Sequence, residues 1–316
     1  MLGLLDQGGN LKVGVIVNPV AGGGRMARMW PGFEAALRHR LGPLEVAFTT
    51  RQGEGRALAA QLVGDGVDLL IAAGGDGTVG EVVDGLLSQG EAARSVELGI
   101  APVGTGADLA RTLKLGVDAS AIAARIADSP ARPVDAGLIE CVGDDGRPVI
   151  RHFINIASIG ISADIAFAVN ASAKRLLPGK LLFAWHTLKE LARLQAPHLV
   201  LRVDGKEVFC GASPLVAVAN NHSFAGGMRI APDALMDDGV FDVVTVRDAG
   251  RLSLIRALRR VYDGSHRNLD ICSFARGRHI EVETPAGLVG LEADGETTGF
   301  LPARISILAG AIRLRA

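Results

Sequence analysis

Over the first 130 residues or so, short apolar runs alternate with stretches whose apolar positions recur every three or four residues. Residues 12–18, 45–49 and 98–102 are short and β-branched enough for buried strands, and Val67, Leu69, Leu70, Ile71 and Ala72 begin another. Helical spacing follows the glycines at 22–24 through residue 40, covers 55–64, resumes after residue 78, and returns from 108 and over 119–127. In the third of these, Val79, Val82, Val83, Leu86 and Leu87 share one side. Such alternation predicts a parallel, doubly wound sheet, whose ligands sit outside the carboxyl ends of the strands. Glycine turns at 18–24, 74–78 and 104–106 all follow strands and are expected to converge there.

The pattern changes near Ser129-Pro130-Ala131-Arg132-Pro133. Beyond it, strand-like runs dominate, at 136–141, 149–157, 199–203, 208–210, 214–219, 240–246, 279–283, 304–308 and 311–314. Asp-Gly turns at 145–146, 204–205 and 238–239 separate them and predict an antiparallel sandwich. Helical patches at 179–195 and 251–262 interrupt it. The expected fold is thus α/β plus β, with an α/β domain at 11–133 and a β-rich domain at 134–316, and residues 1–10 as a frayed leader.

Composition removes several function classes. Hydrophobic content of 48% and charged content of 21% describe a soluble globular protein, and a net charge of −1 argues against bulk nucleic-acid binding. No run approaches the roughly 18 apolar residues of a membrane span, and the start lacks signal-peptide features. Cys141, Cys210 and Cys272, odd in number and far apart, read as reduced thiols of a cytosolic chain. The seven histidines lack zinc-site spacing, and no GxSxG elbow is present.

The stretch 69–87, LLIAAGGDGTVGEVVDGLL, carries the chemistry. A strand, a glycine turn and a helix start present backbone N–H groups and a positive helix end to a phosphate, unless the glycines serve only a tight turn. It is neither a Walker loop nor a dinucleotide GxGxxG. Asp76 inside the turn would repel a phosphate unless a cation such as Mg²⁺ lies between them. Gly74-Gly75-Asp76-Gly77-Thr78 resembles the catalytic domain of diacylglycerol kinase-type lipid kinases, which include bacterial lipid kinases and sphingosine and ceramide kinases. The GGDG core is shared with NAD kinases and phosphofructokinases. Further matches follow in family order: the opening Asn18-Pro19 turn with Gly22-Gly23-Gly24, Thr49 four residues before Gly53-Glu54, PVGTGADLA at 102–110, and EADGE at 292–296. Family members usually carry Asn where this chain has Gly80 and Ala107.

The resemblance implies an N-terminal nucleotide-binding domain and a C-terminal lipid-binding domain, with the catalytic cleft between them and the final strands returning to the first. It implies nucleotide contacts from Asn18, Thr49, Gly74, Gly75, Asp76, Gly77, Thr78, Glu81, Gly104 and Thr105. Glu296 would be the general base that takes the proton of a lipid hydroxyl, supported by Asp135. Asp76 would hold a catalytic Mg²⁺ through water, and Arg25 or Lys12 would add positive charge. A second, structural Mg²⁺ would take the Asp238 carboxylate and the carbonyls of Leu235 and Val240. Without the resemblance, LMDDGV (235–240) and EADGE read as solvated turns.

Two stretches could face a membrane. Leu181, Trp185, Leu188 and Ala192 form a stripe broken by Lys189 and Arg193, equally readable as a core-facing helix. Arg251, Arg256, Arg259, Arg260 and Arg267 form a basic segment, readable as a solvated face or a docking face. The expected function is an ATP- and Mg²⁺-dependent lipid kinase acting on a hydroxyl of diacylglycerol or a ceramide or sphingoid lipid. It would be cytoplasmic and peripheral to the inner membrane, with transient membrane association, no nucleic-acid partner, and homodimerisation left open. The alternatives are an NAD kinase-like enzyme and, given Gly80 and Ala107, a catalytically weak lipid-binding regulatory protein.

Overall fold

All five residues of β1 (Val13–Val17) are buried, as suits a strand inside a sheet covered on both faces. In the computed structural model, which describes residues 11–103, 107–164, 196–285 and 287–316, β1 lies between two parallel neighbours. These are β2 (Leu44–Phe48) and β3 (Leu69–Gly74), and β3 in turn pairs in parallel with β4 (Glu97–Pro102). Helices α1 (Ala21–Leu41), α2 (Glu54–Gly64), α3 (Asp76–Leu87), α4 (Asp108–Thr112) and α5 (Ala119–Asp128) connect or cover them. On α1, Trp30, Phe33 and Leu37 pack with Ile122 and Ile126 of α5 against the sheet, each side chain contributing about 2 kcal/mol on burial. Asp118 caps α5, its carboxylate accepting the Ala121 N–H at 2.8 Å.

The chain divides into two compact units, residues up to Pro133 together with Ile312–Ala316, and Val134–Ala311. The second is built of strands. β5 (Arg132–Val142), β6 (Pro148–Phe153), β7 (Ile156–Gly160), β8 (His198–Val203), β9 (Lys206–Ala212), β10 (Leu215–Ala219) and β11 (Phe241–Val246) precede α6 (Arg251–Val261). After it come β12 (Cys272–Gly277), β13 (His279–Glu283), β14 (Gly290–Ala293) and β15 (Glu296–Arg315). Strands run in the order β12–β11–β10–β7–β14–β15, while β13 pairs with β15 and β8, β8 with β9, and β5 with β15 and β6. A large apolar core lies within this unit, where Phe153 and Phe241 stack with ring centroids 5.7 Å apart. The fold is an N-terminal α/β domain followed by a β-sandwich, as the apolar pattern predicts.

Several elements differ from expectation. The run at 149–157 is two strands, because the N–H groups of Ile154, Asn155 and Ile156 turn to the Asp294 carboxylate instead of a ladder. The runs at 304–308 and 311–314 belong to one 20-residue strand, β15. β12 and β14 were not expected, since CSFARG and GLEA lack the length and alternation that mark a strand. The expected leader at 1–10 and helix at 179–195 lie outside the described residues.

Candidate active site

In the first unit, chemistry gathers where β1 and β3 end. Gly74 closes β3, and a Cβ there would lie 2.4 Å from Thr78 Oγ1, so only glycine allows the chain to turn this tightly into α3. Gly75 precedes α3 in extended conformation, and no side chain caps the helix. The start of α3 therefore offers its dipole and first-turn N–H groups to an anion. After β1, Gly22, Gly23 and Gly24 take φ of 61, 69 and 81°, a left-handed run that gives the start of α1 an open turn.

Side chains tie these turns together. Asn18 Nδ2 donates to Thr78 Oγ1 at 3.0 Å, and its Oδ1 accepts the Val20 N–H at 3.2 Å, joining the first glycine turn to the second. Asp76 accepts the N–H groups of Asp108 at 2.7 Å and Leu109 at 3.2 Å, joining the second turn to α4. Thr49 is buried, with its N–H on the Val17 carbonyl at 2.9 Å. Glu81 accepts the N–H groups of Gly53 and Gly55, each at 2.8 Å, and so braces the loop after Thr49 against α3. Gly104 and Thr105 lie outside the described residues. Arg25 directly follows the three glycines. Lys12 is a correction: it precedes β1, at the strand end opposite the turns, and its ammonium donates to the Asp65 carbonyl at 2.6 Å.

In the second unit, Glu296 opens β15 immediately after a two-residue turn. Asp294 and Gly295, with φ of 52 and 84°, form the left-handed pair that a tight hairpin between β14 and β15 requires. Asp294 fixes that turn by accepting three backbone N–H groups, from Ile154 and Asn155 at 2.9 Å and Ile156 at 3.2 Å. Glu292 is 4% exposed, accepts the Gly295 N–H at 2.9 Å and is hydrogen-bonded by Ser158 Oγ. Burial pushes its carboxyl up to about 7, and the nearby acids Asp294 and Glu296 add to the rise. Glu296 itself is only partly covered.

The resemblance has Asp135 support Glu296; the hydrogen bonds of its carboxylate run to backbone groups instead. Its two oxygens accept the N–H groups of Gly239 and Gly310, both at 2.7 Å, so it fastens the 235–240 loop to the bend in β15. In that loop Asp238 Oδ1 accepts the Val240 N–H at 3.3 Å, and its other oxygen pairs with Arg276, which also reaches Asp242 at 3.4 Å. Among the described residues, no hydrogen bond outside the helices and strands ends on the carbonyls of Leu235 or Val240. One carboxylate and two such carbonyls suit a hard divalent cation, with Arg276 retaining Asp242 as its partner.

Glu292, Ser158 and Asp294 escaped the sequence reading of individual roles. The spacing of three acids in EADGE was the available signal. Nothing local indicated that Ser158 would face Glu292.

A model of the diacylglycerol kinase catalytic domain matches residues 12–139, and one of the YegS C-terminal NAD kinase beta sandwich-like domain matches residues 155–316. The chain is 30% identical to a diacylglycerol kinase of Mycobacterium tuberculosis over 96% of its own length and 94% of the relative's. It is 31% identical to a diacylglycerol kinase of Bacillus subtilis, covering 80% and 79% of the two chains. A crystal structure of a diacylglycerol kinase from Bacillus anthracis superposes with a TM-score of 0.70 at 23% identity over 96% of each chain. Yeast NADH kinase complexed with NADH follows at a TM-score of 0.52 and 12% identity, covering 97% of this chain and 83% of that one. With this agreement along nearly the whole chain, the protein belongs to the diacylglycerol kinase catalytic-domain family and is a lipid kinase.

Proposed function

We propose that the protein transfers the γ-phosphoryl group of ATP, with Mg²⁺, to the hydroxyl of diacylglycerol or a similar membrane lipid. The observation that carries this reading is the uncapped start of α3, whose turn Asn18 and Asp76 lock to the neighbouring turns. A cradle held in this way binds phosphates without reorganising when the nucleotide arrives. Asn18, Thr49, Gly74, Gly75, Gly77 and Thr78 would line it. Glu81 would act from behind, through the loop it holds.

Asp76 is the carboxylate inside this turn, and a cation such as Mg²⁺ between it and a phosphate would offset their repulsion. When bound, Mg²⁺ supplies charge neutralisation to the phosphates. Glu296, set at the mouth of a fixed hairpin, takes the hydroxyl proton as the lipid oxygen attacks. The names of the curated relatives favour diacylglycerol as the acceptor.

The test is phosphate transfer from labelled ATP to detergent-dispersed diacylglycerol, ceramide, sphingosine and NAD in parallel. Labelled diacylglycerol is expected, with a loss of at least about 100-fold in Glu296→Gln. Label on NAD alone, or transfer indifferent to Glu296, overturns the proposal.

A further inference from the structure

Helix α6 carries arginines that the fold does not use. Several guanidinium groups elsewhere find acids: Arg56 meets Asp84 at 3.0 Å, Arg111 meets Asp108 at 2.5 Å, and Arg267 pairs with Asp233. Arg251, Arg256, Arg259 and Arg260 have no ion-pair or hydrogen-bond partner for their side chains among the described residues. The acids nearest in sequence accept backbone N–H groups, Asp248 that of Gly250 at 3.2 Å and Asp263 that of Ser265 at 2.9 Å, although Asp263 also feels the charge of Arg260. From residue 247 to 267 there are six arginines against two aspartates, in a chain whose net charge is −1.

The helix is two-faced. Leu254, Ala257 and Val261 are buried. Leu254 packs with Val246, Ile161 and Leu215, and Ile161 directly follows β7, the strand that carries Ser158 beside Glu292. On the opposite side, at about 100° per residue, Arg259, Leu252, Arg256 and Arg260 fall in one stripe. Leu252, in the first turn of the helix and directly opposite the buried face, is 85% exposed. Arg251 in the first turn opposes the helix dipole, and no acid accompanies it there. Neither the exposed leucine nor this charge placement helps the folded chain by itself.

The geometry points to α6 as the face by which this enzyme docks on an anionic phospholipid bilayer, with the arginines at the headgroups and Leu252 at the acyl boundary. This rests on the lipid-kinase reading, since the substrate then resides in a bilayer. Charge selects the partner: unpaired guanidiniums attract an anionic leaflet, and their alkyl stems line the path of an inserted leucine. A nucleic acid would meet the same charge but has no use for an exposed leucine among the arginines. It calls instead for aromatic platforms, and Tyr262 lies off the stripe.

The test is sedimentation with phosphatidylcholine vesicles made with and without phosphatidylglycerol. The variants are Arg256→Gln/Arg259→Gln/Arg260→Gln and, separately, Leu252→Ser. The parent should bind only the anionic vesicles, less so as salt rises. The triple variant should lose about 100-fold in affinity, from roughly fivefold per guanidinium. Leu252→Ser should weaken binding without changing the salt slope. Both should phosphorylate detergent-dispersed lipid as the parent does, which separates a lost surface from a lost enzyme. A parent inactive on every dispersed lipid sinks the kinase reading, whereas this one falls if the triple variant and parent bind anionic vesicles equally. Tighter binding of duplex DNA or RNA than of anionic vesicles at the same salt also overturns it. Should the triple variant fail to fold, Leu252→Ser and the parent's salt dependence decide.

Discussion

At the scale of single residues, burial sets the behaviour of the acids. The Glu292 carboxyl, pushed from 4.5 to about 7, keeps its proton where an unfolded chain would have released it. Because the folded value is the higher, its contribution to stability is complete below pH 4.5 and is lost as pH rises from there through about 7. The loss is on the order of 3 kcal/mol. Glu292→Gln, neutral at every pH, should therefore gain on the parent as pH rises from 5 to 8, read from urea midpoints. Parallel curves for the two proteins would show that the buried group is charged throughout. Asp238 poses the opposite case, a carboxylate already paired with Arg276 in the loop that the family resemblance assigns to a structural cation. Mg²⁺ should raise the melting temperature by several degrees, and Asp238→Ala should lower melting and abolish that dependence. Melting indifferent to both removes the structural metal from this loop.

At the scale of elements, the turn into α3 is tightly constrained. A methyl group on Gly74 would meet the Oγ1 and Cβ of Thr78 at 2.4 and 2.5 Å, and Thr78 is itself buried and held by Asn18. At Gly75 a Cβ meets nothing within 4 Å. Gly74→Ala should cost about 2 kcal/mol, and Gly75→Ala well under half of that. Equal denaturation midpoints for the two variants would mean that α3 can shift to relieve the contact. The glycine run, the apolar strand before it and the periodic helix after it are local, and all three were legible in the sequence. The split between β6 and β7 was not. It depends on a carboxylate at Asp294 that captures the N–H groups of residues some 140 positions earlier.

At the scale of the whole molecule, the closing residues of β15 return to the first unit, where Arg313–Arg315 pair in parallel with Glu97–Gly99 of β4. Glu97 is buried there between Arg313, at 2.7 Å, and Arg315, which also donates to the carbonyls of Ile126 and Ala127 at 3.1 Å. Arg315→Ala leaves a buried carboxylate short of a partner and should destabilise by about 3 kcal/mol. Glu97→Gln/Arg315→Ala should recover part of that loss in a double-mutant cycle. Strict additivity of the two changes would show the pair to be uncoupled.

What the sequence by itself determined is whatever depends on near neighbours. Apolar periodicity defined a strand–helix alternation giving way to strands, and glycine and Asp-Gly positions marked the turns that hold Asn18, Asp76 and Glu296. Tertiary structure alone decided which distant groups meet. It faced Ser158 with Glu292 across 134 residues, gave Asp135 to Gly239 and Gly310, set Lys12 at the strand end away from the turns, and placed Arg315 on Glu97. The physical reason is range. Backbone propensity and side-chain periodicity act over a few residues and can be read in order. The partner of a buried polar group is set by which elements bury their apolar faces together, and only the packed chain resolves that.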